Sequence, residues 1–577
     1  MARGGFRRIF YLTAKNSTRR EAFTSAAKLN EVGASLRTVV LSAKEQICPL
    51  RELQPGPFCC PGDDCPLMHG YEAKAAGAVL SLLEKHRGYP VQTVKKAAAE
   101  AGVCPYEFSL DLSEYCDIII CDYNSVFDPS VRLARFFTYA VPNDAVLLVD
   151  EAHNLPARAR DTFSATLTEE DFLRFAPFAS PESRVGILFD TLVLRFNELR
   201  ALTEENTQKD EKGVPSGWYF SAEAPLALSE AAEAILPELI LFRVTHREDL
   251  PAYGAASDLL RACAKWQNAA ACYDRHYRTY ITVDKGVLSA KLYCLDPSAR
   301  LEETLSAVKA SVFFSATLTP SDYFADILGA GKDASSLSLP SPFPRENLYL
   351  AAVTSIDTRY EAREKSAKKL CAAIAATVSA KKGNYMVFFP SYAYLKEVTG
   401  LFCEKYPTVR VKIQEPGMTR KQREAFLDFF ADDTGVLRIG FCVLGGSFSE
   451  GIDLPGGRLI GTVIVGTGLP GLSAESNMIR DYYDIRSENG FDYAYTYPGM
   501  NNVLQAAGRV IRQETDRGAV VLIDDRYAEE RYRALMPPHW QGLRYHTDLH
   551  ALQGELAQFW NGTPLPPPRE GQISNPA

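Results

Sequence analysis

Short uninterrupted runs of apolar residues recur along the chain, and each stops at a small or charged residue. Residues 9–13 (Ile-Phe-Tyr-Leu-Thr), 118–120 (three isoleucines), 146–149 (Val-Leu-Leu-Val), 312–314 (Val-Phe-Phe), 385–390 and 520–523 (Val-Val-Leu-Ile) have this form. Runs of three to six without apolar–polar alternation predict strands buried on both faces, the habit of parallel sheets. A helix over 21–32 and a strand over 35–42 follow the first run and give a βαβ succession. Strands are also expected over 116–121, 280–283 and 290–295. Residues 157–300 are otherwise rich in Ala, Leu and Glu with helical periodicity. The chain reads as α/β, with a long helical stretch in its middle.

The strand at 146–149 runs into Asp150-Glu151-Ala152-His153. An acidic pair at the C-terminal edge of a parallel strand is where an α/β nucleotidase holds Mg²⁺ and orients the attacking water. Asp150 would hold the metal and Glu151 would polarise the water. The plainer alternative is a strand end with a solvated acidic turn. Two later stretches weigh against it. Ser315-Ala316-Thr317 follows the apolar run at 312–314. In Gln505-Ala-Ala-Gly508-Arg509-Val-Ile-Arg512 the spacings of four and three put Gln505, Arg509 and Arg512 on one helix face. Arginines presented together suit a γ-phosphate transition state.

The 577 residues allow three or four domains. Neither the 46% hydrophobic nor the 23% charged content is unusual for a soluble protein. No apolar stretch reaches the roughly 18 residues of a membrane span, and no apolar signal core follows Met1. The expectation is a cytoplasmic monomer. The net charge of −8 excludes a generic polycation but leaves room for a local basic groove. Arg7, Arg8, Lys15, Arg19 and Arg20 are candidates for it, or simply a solvated helix face.

Thirteen cysteines in such a chain are not a disulfide framework. Seven lie between Cys48 and Cys121. Cys48, Cys60, Cys65 and Cys104 each precede a proline, which stiffens the loops that carry them. Four thiolates bind either an iron–sulfur cluster or a tetrahedral zinc, and spacing does not decide between these. Cys116 and Cys121 flank the isoleucine run and read as strand cysteines.

The ordered set of DEAH, SAT and Q-x-x-G-R-x-x-R resembles the superfamily-two helicases. Cys48-Pro, Cys60-Pro-Gly-Asp-Asp-Cys65 and Cys104-Pro-Tyr, lying ahead of the DEAH box, resemble the 4Fe–4S domain of the XPD/DinG-like DNA helicases, bacterial type. The resemblance implies two RecA-like parallel-sheet motor domains with an iron–sulfur insertion and a helical Arch. On that match the first motor domain comprises 1–44, 111–156 and 301–345, interrupted by the cluster domain at 45–110 and the Arch at 157–300. The second motor domain covers 346–545 and a tail covers 546–577. Cys48, Cys60, Cys65 and Cys104 would be the cluster ligands, with Cys59 a substitute for Cys60. Thr13, Lys15, Thr18 and Arg19 match motif Ia, a DNA-backbone contact. Ser391-Tyr392 resembles motif IV. The segment from Gly446 through Gly451 to Asp453 matches motif V, near nucleotide and DNA, with Gly508 also near nucleotide. His153, Ser315, Ala316 and Thr317 would couple hydrolysis to movement. The implied ligands are ATP, Mg²⁺ and single-stranded or forked DNA, travelled 5′ to 3′.

Such a motor needs G-x-x-x-x-G-K-[ST], whose amides and lysine cradle phosphates. No such sequence occurs; Gly331-Lys332 lacks the first glycine and the hydroxyl, and reads as a surface turn. The chain starts within a few residues of the motif Ia match. The expectation is that the loop lies upstream or on another polypeptide. The alternative is a catalytically impaired nucleic-acid-binding remnant.

Overall fold

The computed structural model describes residues 5–53, 60, 62, 65–137, 143–209, 214–430, 435–449 and 454–566. The predicted motif V residues Gly451 and Asp453, and the alternative ligand Cys59, lie outside them. The chain divides into two units, Met1–Ser315 with Ala325–Asp333, and Ala316–Phe324 with Ala334–Ala577.

The first unit is built on a parallel sheet. Strands β1 (Arg8–Leu12), β2 (Thr38–Val40), β3 (Gly88–Tyr89), β4 (Ile118–Cys121) and β5 (Asn143–Asp150) stand in the order β5-β1-β4-β2-β3. All four residues of β4 are buried, as an uninterrupted apolar run requires in a sheet covered on both sides. Helix Asn16–Glu31 starts five residues before the sequence pattern suggests, because Asn16 to Arg20 form a polar first turn without periodic apolar residues. Helices Tyr71–Lys85, Val91–Ala101 and Pro105–Ser113 fill the segment between β2 and β4.

The stretch that follows β5 holds long helices, Arg184–Glu198, Leu226–Thr245 and Leu250–Ala271. It also holds a five-stranded antiparallel sheet of β6 (Ala165–Thr168), β7 (Gln208–Lys209), β8 (Pro215–Ser221), β9 (Tyr277–Asp284) and β10 (Val287–Cys294), ordered β6-β10-β9-β8-β7. The strands expected at 280–283 and 290–295 lie in β9 and β10, whereas the helical composition hides β6, β7 and β8, which complete the sheet. Trp266 sits at the centre of the helix–sheet core, 0% exposed, with its indole N–H donating to Ser229 Oγ at 3.0 Å. Trp266→Ala is expected to cost about 3–5 kcal/mol. Hydrogen exchange should show this as lost protection confined to this segment; unchanged protection would contradict the packing.

Strand β11 (Val308–Phe314) then returns to pair with β5 in parallel, Phe314 opposite Asp150. The second unit carries a seven-stranded parallel sheet. Its strands are β12 (Leu348–Val353), β13 (Asn384–Phe389), β14 (Arg410–Ile413), β15 (Arg438–Val443), β16 (Gly461–Val465), β17 (Gly518–Ile523) and β18 (Arg544–His546), ordered β14-β15-β13-β16-β17-β12-β18. One face packs on Leu370, Ile374, Phe402 and Leu556, the other on Phe426, Phe430, Val503 and Leu504. Burial from both sides explains why β13, β15, β16 and β17 are wholly buried. No helix among the described residues is long and apolar enough to cross a membrane.

Candidate motor site and cysteine cavity

Asp150 is the last residue of β5, and Glu151 follows with φ 50° and ψ 42°. A non-glycine residue in the left-handed region persists only where its surroundings fix it. Here the Tyr123 hydroxyl donates to the carbonyls of both Asp150 and Glu151, the second at 3.1 Å. The turn directs the Glu151 carboxylate towards His153 and Ser315. Glu151 Oε2 lies 3.5 Å from Ser315 Oγ and 3.5 Å from His153 Nδ1, and those two atoms are 2.7 Å apart. Glu151, His153 and the first SAT residue thus form one cluster. Its histidine side chain is 3% exposed, whereas Glu151 is 30% exposed and reaches solvent. Burial, then the neighbouring Glu151 charge, raises the Asp150 carboxyl above the usual carboxylate range, while the Tyr11 hydroxyl and the Glu151 amide act the other way. Bringing a divalent cation to Asp150 would relieve that penalty. Tyr11 and Tyr123 escaped the sequence reading because only the parallel register of β1, β4 and β5 brings them to the acidic pair.

Of the four residues matched to motif Ia, Thr13 is fully buried and bonded to Thr18 Oγ1. Thr18 also donates to the Lys15 carbonyl at 2.9 Å. The Arg19 side chain is 10% exposed and pairs with Asp122 at 3.2 Å. Thr13 and Arg19 therefore anchor the start of helix Asn16–Glu31 inside the fold. Lys15, half-buried at the N-cap, lies nearer solvent.

In the second unit the helix that carries Gln505 spans Tyr497–Ala507 and ends at Gly508. The single helix face expected for Gln505, Arg509 and Arg512 is thus not formed: both arginines lie beyond the helix. The cause is Asp516, whose carboxylate takes the backbone amides of Arg512 (2.8 Å), Gln513 (2.9 Å) and Gly456 (3.2 Å) and so holds the chain in a loop. Arg509 Nε donates to the Ser449 carbonyl at 3.1 Å, which ties this loop to the start of the motif V segment. Gln505 is 8% exposed, and among the described residues neither side-chain amide atom has a hydrogen-bond partner. A buried amide left so costs stability unless a ligand completes it. Ala316, Thr317, Gly508 and Arg512 line one cleft of 1260 Å³ together with Tyr349 and Trp540. Asp516 was missed because its role depends on amides up to sixty residues away.

Cys48, Cys60, Cys65 and Cys104 line a single cavity of 70 Å³ with Lys44, Met68 and Glu107. None of the four is in a disulfide. The Gly62 amide donates to Cys60 Sγ at 3.5 Å, and the Cys104 amide donates to the Leu67 carbonyl at 3.0 Å, joining the two cysteine-bearing segments. Cys104 caps helix Pro105–Ser113. Burial raises its thiol, while the amides of Glu107 and Tyr106 and the Lys44 ammonium favour the thiolate. Cys116 and Cys121 are elsewhere, buried, and pushed up to about 12, as inert thiols are. Among the described residues no three His, Cys, Asp or Glu side chains stand close enough to hold a single metal ion. The donor set itself, four free cysteines around one cavity with a lysine beside them, fits a thiolate-ligated centre.

Two parallel α/β sheets, one with an acidic pair at the end of β5 and the other with a Gln/Arg segment between β16 and β17, define a RecA-like motor architecture. Comparison with known proteins agrees: residues 15–172 match the DEAD_2 family and residues 374–542 match the helicase C-terminal domain. The chain belongs to the XPD/DinG-like superfamily-two helicases. It is 22% identical over 522 residues to the fission-yeast (Schizosaccharomyces pombe) general transcription and DNA repair factor IIH helicase subunit XPD, covering 75% of this chain and 65% of that one. It is 29% identical over 274 residues to the ATP-dependent DNA helicase chl-1 of Caenorhabditis elegans, covering 44% and 33%. The chain thus spans from a third to two thirds of the length of these curated relatives. Among solved structures it matches an XPD helicase with a TM-score of 0.56 at 17% identity, covering 92% of this chain and 89% of that one. It also matches S. tokodaii Xpd4, with a TM-score of 0.53 at 14% identity, covering 94% and 96%.

Proposed function

We propose that this protein is an ATP-dependent DNA helicase that couples hydrolysis to movement along single-stranded DNA. The observation that carries the reading is the Glu151–His153–Ser315 cluster, an acid–base site wired directly to a neighbouring strand end. Asp150 holds Mg²⁺ and Glu151 orients and deprotonates the attacking water. Gln505, Arg509 and Arg512 meet the charge that develops on the transferring phosphoryl group, with Gly451, Asp453 and Gly508 beside the nucleotide. His153 and Ser315, followed by Ala316 and Thr317, transmit the change in phosphate occupancy. Lys15 and Thr18 are the DNA contacts retained from the motif Ia match. Cys48, Cys60, Cys65 and Cys104 hold a 4Fe–4S cluster, whose role would be to rigidify the insertion that meets the DNA fork.

Hydrolysis of this class requires a phosphate loop that these 577 residues do not contain. The test therefore uses protein isolated from its own cells, given forked duplexes with a 5′ or a 3′ single-stranded tail. ATP-dependent strand separation from the 5′ tail is expected; no ATP-dependent separation of either substrate would defeat the proposal. Ser315→Ala removes the 2.7 Å bond to His153. It should leave DNA-stimulated hydrolysis within about threefold and lower strand separation by about tenfold or more, the result of losing one coupling contact worth about 1–2 kcal/mol. Equal losses in both assays would assign Ser315 to the chemistry instead.

A further inference from the structure

The antiparallel sheet β6–β10 has two unlike faces. One packs against the helices through Leu167, Ile281, Val283, Leu288, Ala290 and Leu292. The other carries Trp218 and Phe220, 42% and 43% exposed, two residues apart on β8. Their rings are stacked, with centroids 5.4 Å apart and planes within 9°. Register extends this face across the sheet in two rows. Phe220 stands opposite Tyr280, then Lys291, then Thr166; Trp218 stands opposite Thr282, then Ser289, then Thr168. Arg278 and Tyr293 form the next row. Lys291 Nζ lies 4.3 Å from the Tyr293 ring, and the Arg278 guanidinium donates to the carbonyls of Arg275 and Tyr277, which leave its charge in place. Asp284 stands one row beyond Thr282 at the far end of β9, and the Asp171 carboxylate takes the Thr168 hydroxyl at 2.9 Å; the rows of Phe220 and Arg278 hold no carboxylate.

Two large aromatic rings held parallel on an open sheet gain little for the fold, because their outer π-faces stay in water. Flanked by cations and hydroxyls, they match the requirements of an unpaired nucleic-acid strand: flat surfaces for bases, positive charge for phosphates and short donors for both. A protein partner would be served by an aliphatic patch as well, and the cations would then need carboxylates.

We propose that this face of the β6–β10 sheet binds single-stranded DNA, with bases stacking on Trp218 and Phe220 and the backbone passing Arg278 and Lys291. It adds a strand contact outside the motor motifs, and rests on the helicase reading for the choice of DNA as the strand. The contact is sequence-tolerant and weakens with salt.

The test titrates the full chain with a thymidine oligonucleotide of about 15 residues, following tryptophan emission and oligonucleotide anisotropy. Of the four tryptophans, Trp266 and Trp540 are buried and Trp560 is half-buried against Phe559 and Lys381, so Trp218, the exposed one, should dominate any quenching. Trp218→Phe should abolish most of the quenching and keep the affinity. Trp218→Ala with Phe220→Ala should weaken binding by about tenfold or more, with unchanged circular dichroism. Wild-type binding that the double variant matches would overturn this inference and leave the helicase reading standing. No binding by the wild type would overturn both. A wild-type dimer that the double variant dissociates, at equal oligonucleotide affinity, would assign the face to protein contact and overturn the inference.

Discussion

Glu151→Gln, made in the protein as its own cells produce it, should lower single-stranded-DNA-stimulated ATP hydrolysis by about 10²–10⁴-fold, the usual contribution of a positioned general base. The substitution is nearly isosteric. It keeps an oxygen and gains a donor facing Ser315 and His153, so the 3.5 Å contacts survive in outline. The left-handed backbone at residue 151 is set by Tyr123, which gives its bond to main-chain carbonyls and is indifferent to the side chain. Folding and DNA affinity should therefore be unchanged. What disappears is the capacity to take a proton from water at the open edge of the cluster, where Glu151 is 30% exposed while His153 is closed off. On the same proposal Asp150→Asn acts differently: it would remove the charge that offsets Mg²⁺, so its deficit should diminish as Mg²⁺ is raised, whereas that of Glu151→Gln should not. A Glu151→Gln rate within about twofold of wild type would remove Glu151 from the chemistry, because the smallest effect expected of a general base is about 10².

The parts of this molecule that the sequence made legible share one property: their signals are local. A run such as Ile118–Cys121 is buried on both faces, and composition alone suffices to read it. The DEAH turn sits at a strand end, so its position follows from the run before it. The Gln505–Arg512 stretch failed as a single helix because periodicity reports side-chain spacing and is blind to a remote carboxylate such as Asp516 that pulls the backbone out of the helix. Thr13 and Arg19 illustrate the same limit: polar residues in a basic stretch look exposed until a tertiary partner, here Thr18 or Asp122, draws them in. Within the β6–β10 sheet, β9 and β10 were legible at 280–283 and 290–295, while β6 to β8 were obscured by their surroundings, three long helices rich in Ala and Leu. Its strand β8 reads Pro-Ser-Gly-Trp-Tyr-Phe-Ser, where the apolar residues are consecutive and only the fold reveals that Tyr219 faces inward between two outward rings.

Cys104→Ser should strip the proposed iron–sulfur cluster from the protein. Purified without oxygen, the wild type is expected to contain about four iron and four sulfide per chain; the variant should contain neither, and lose the broad absorbance near ~400 nm that thiolate-ligated clusters show. Cys104 is the decisive position because it joins both parts of the cavity. Its amide is bonded to Leu67 in the loop after Cys65, and it stands at the N-cap of helix Pro105–Ser113, where the Glu107 and Tyr106 amides favour its thiolate. A serine there keeps the backbone bonds of the N-cap residue, so loss of iron reports ligation and not collapse of the helix. Cys60→Ser should behave in the same way. If Cys59→Ser does so instead, Cys59 and not Cys60 is the ligand. Cys116→Ser, buried and remote from the cavity, should keep full iron content. One zinc per chain without sulfide would retain the four thiolates and sink the cluster. A wild type with neither metal would sink both, and would leave the convergence of four cysteines on one 70 Å³ cavity as packing alone. The melting temperature separates these cases again: a ligated centre closes the loops between residues 48 and 104, so its loss should lower the stability of that insertion by about 2–5 kcal/mol, the range for removing a native cross-link.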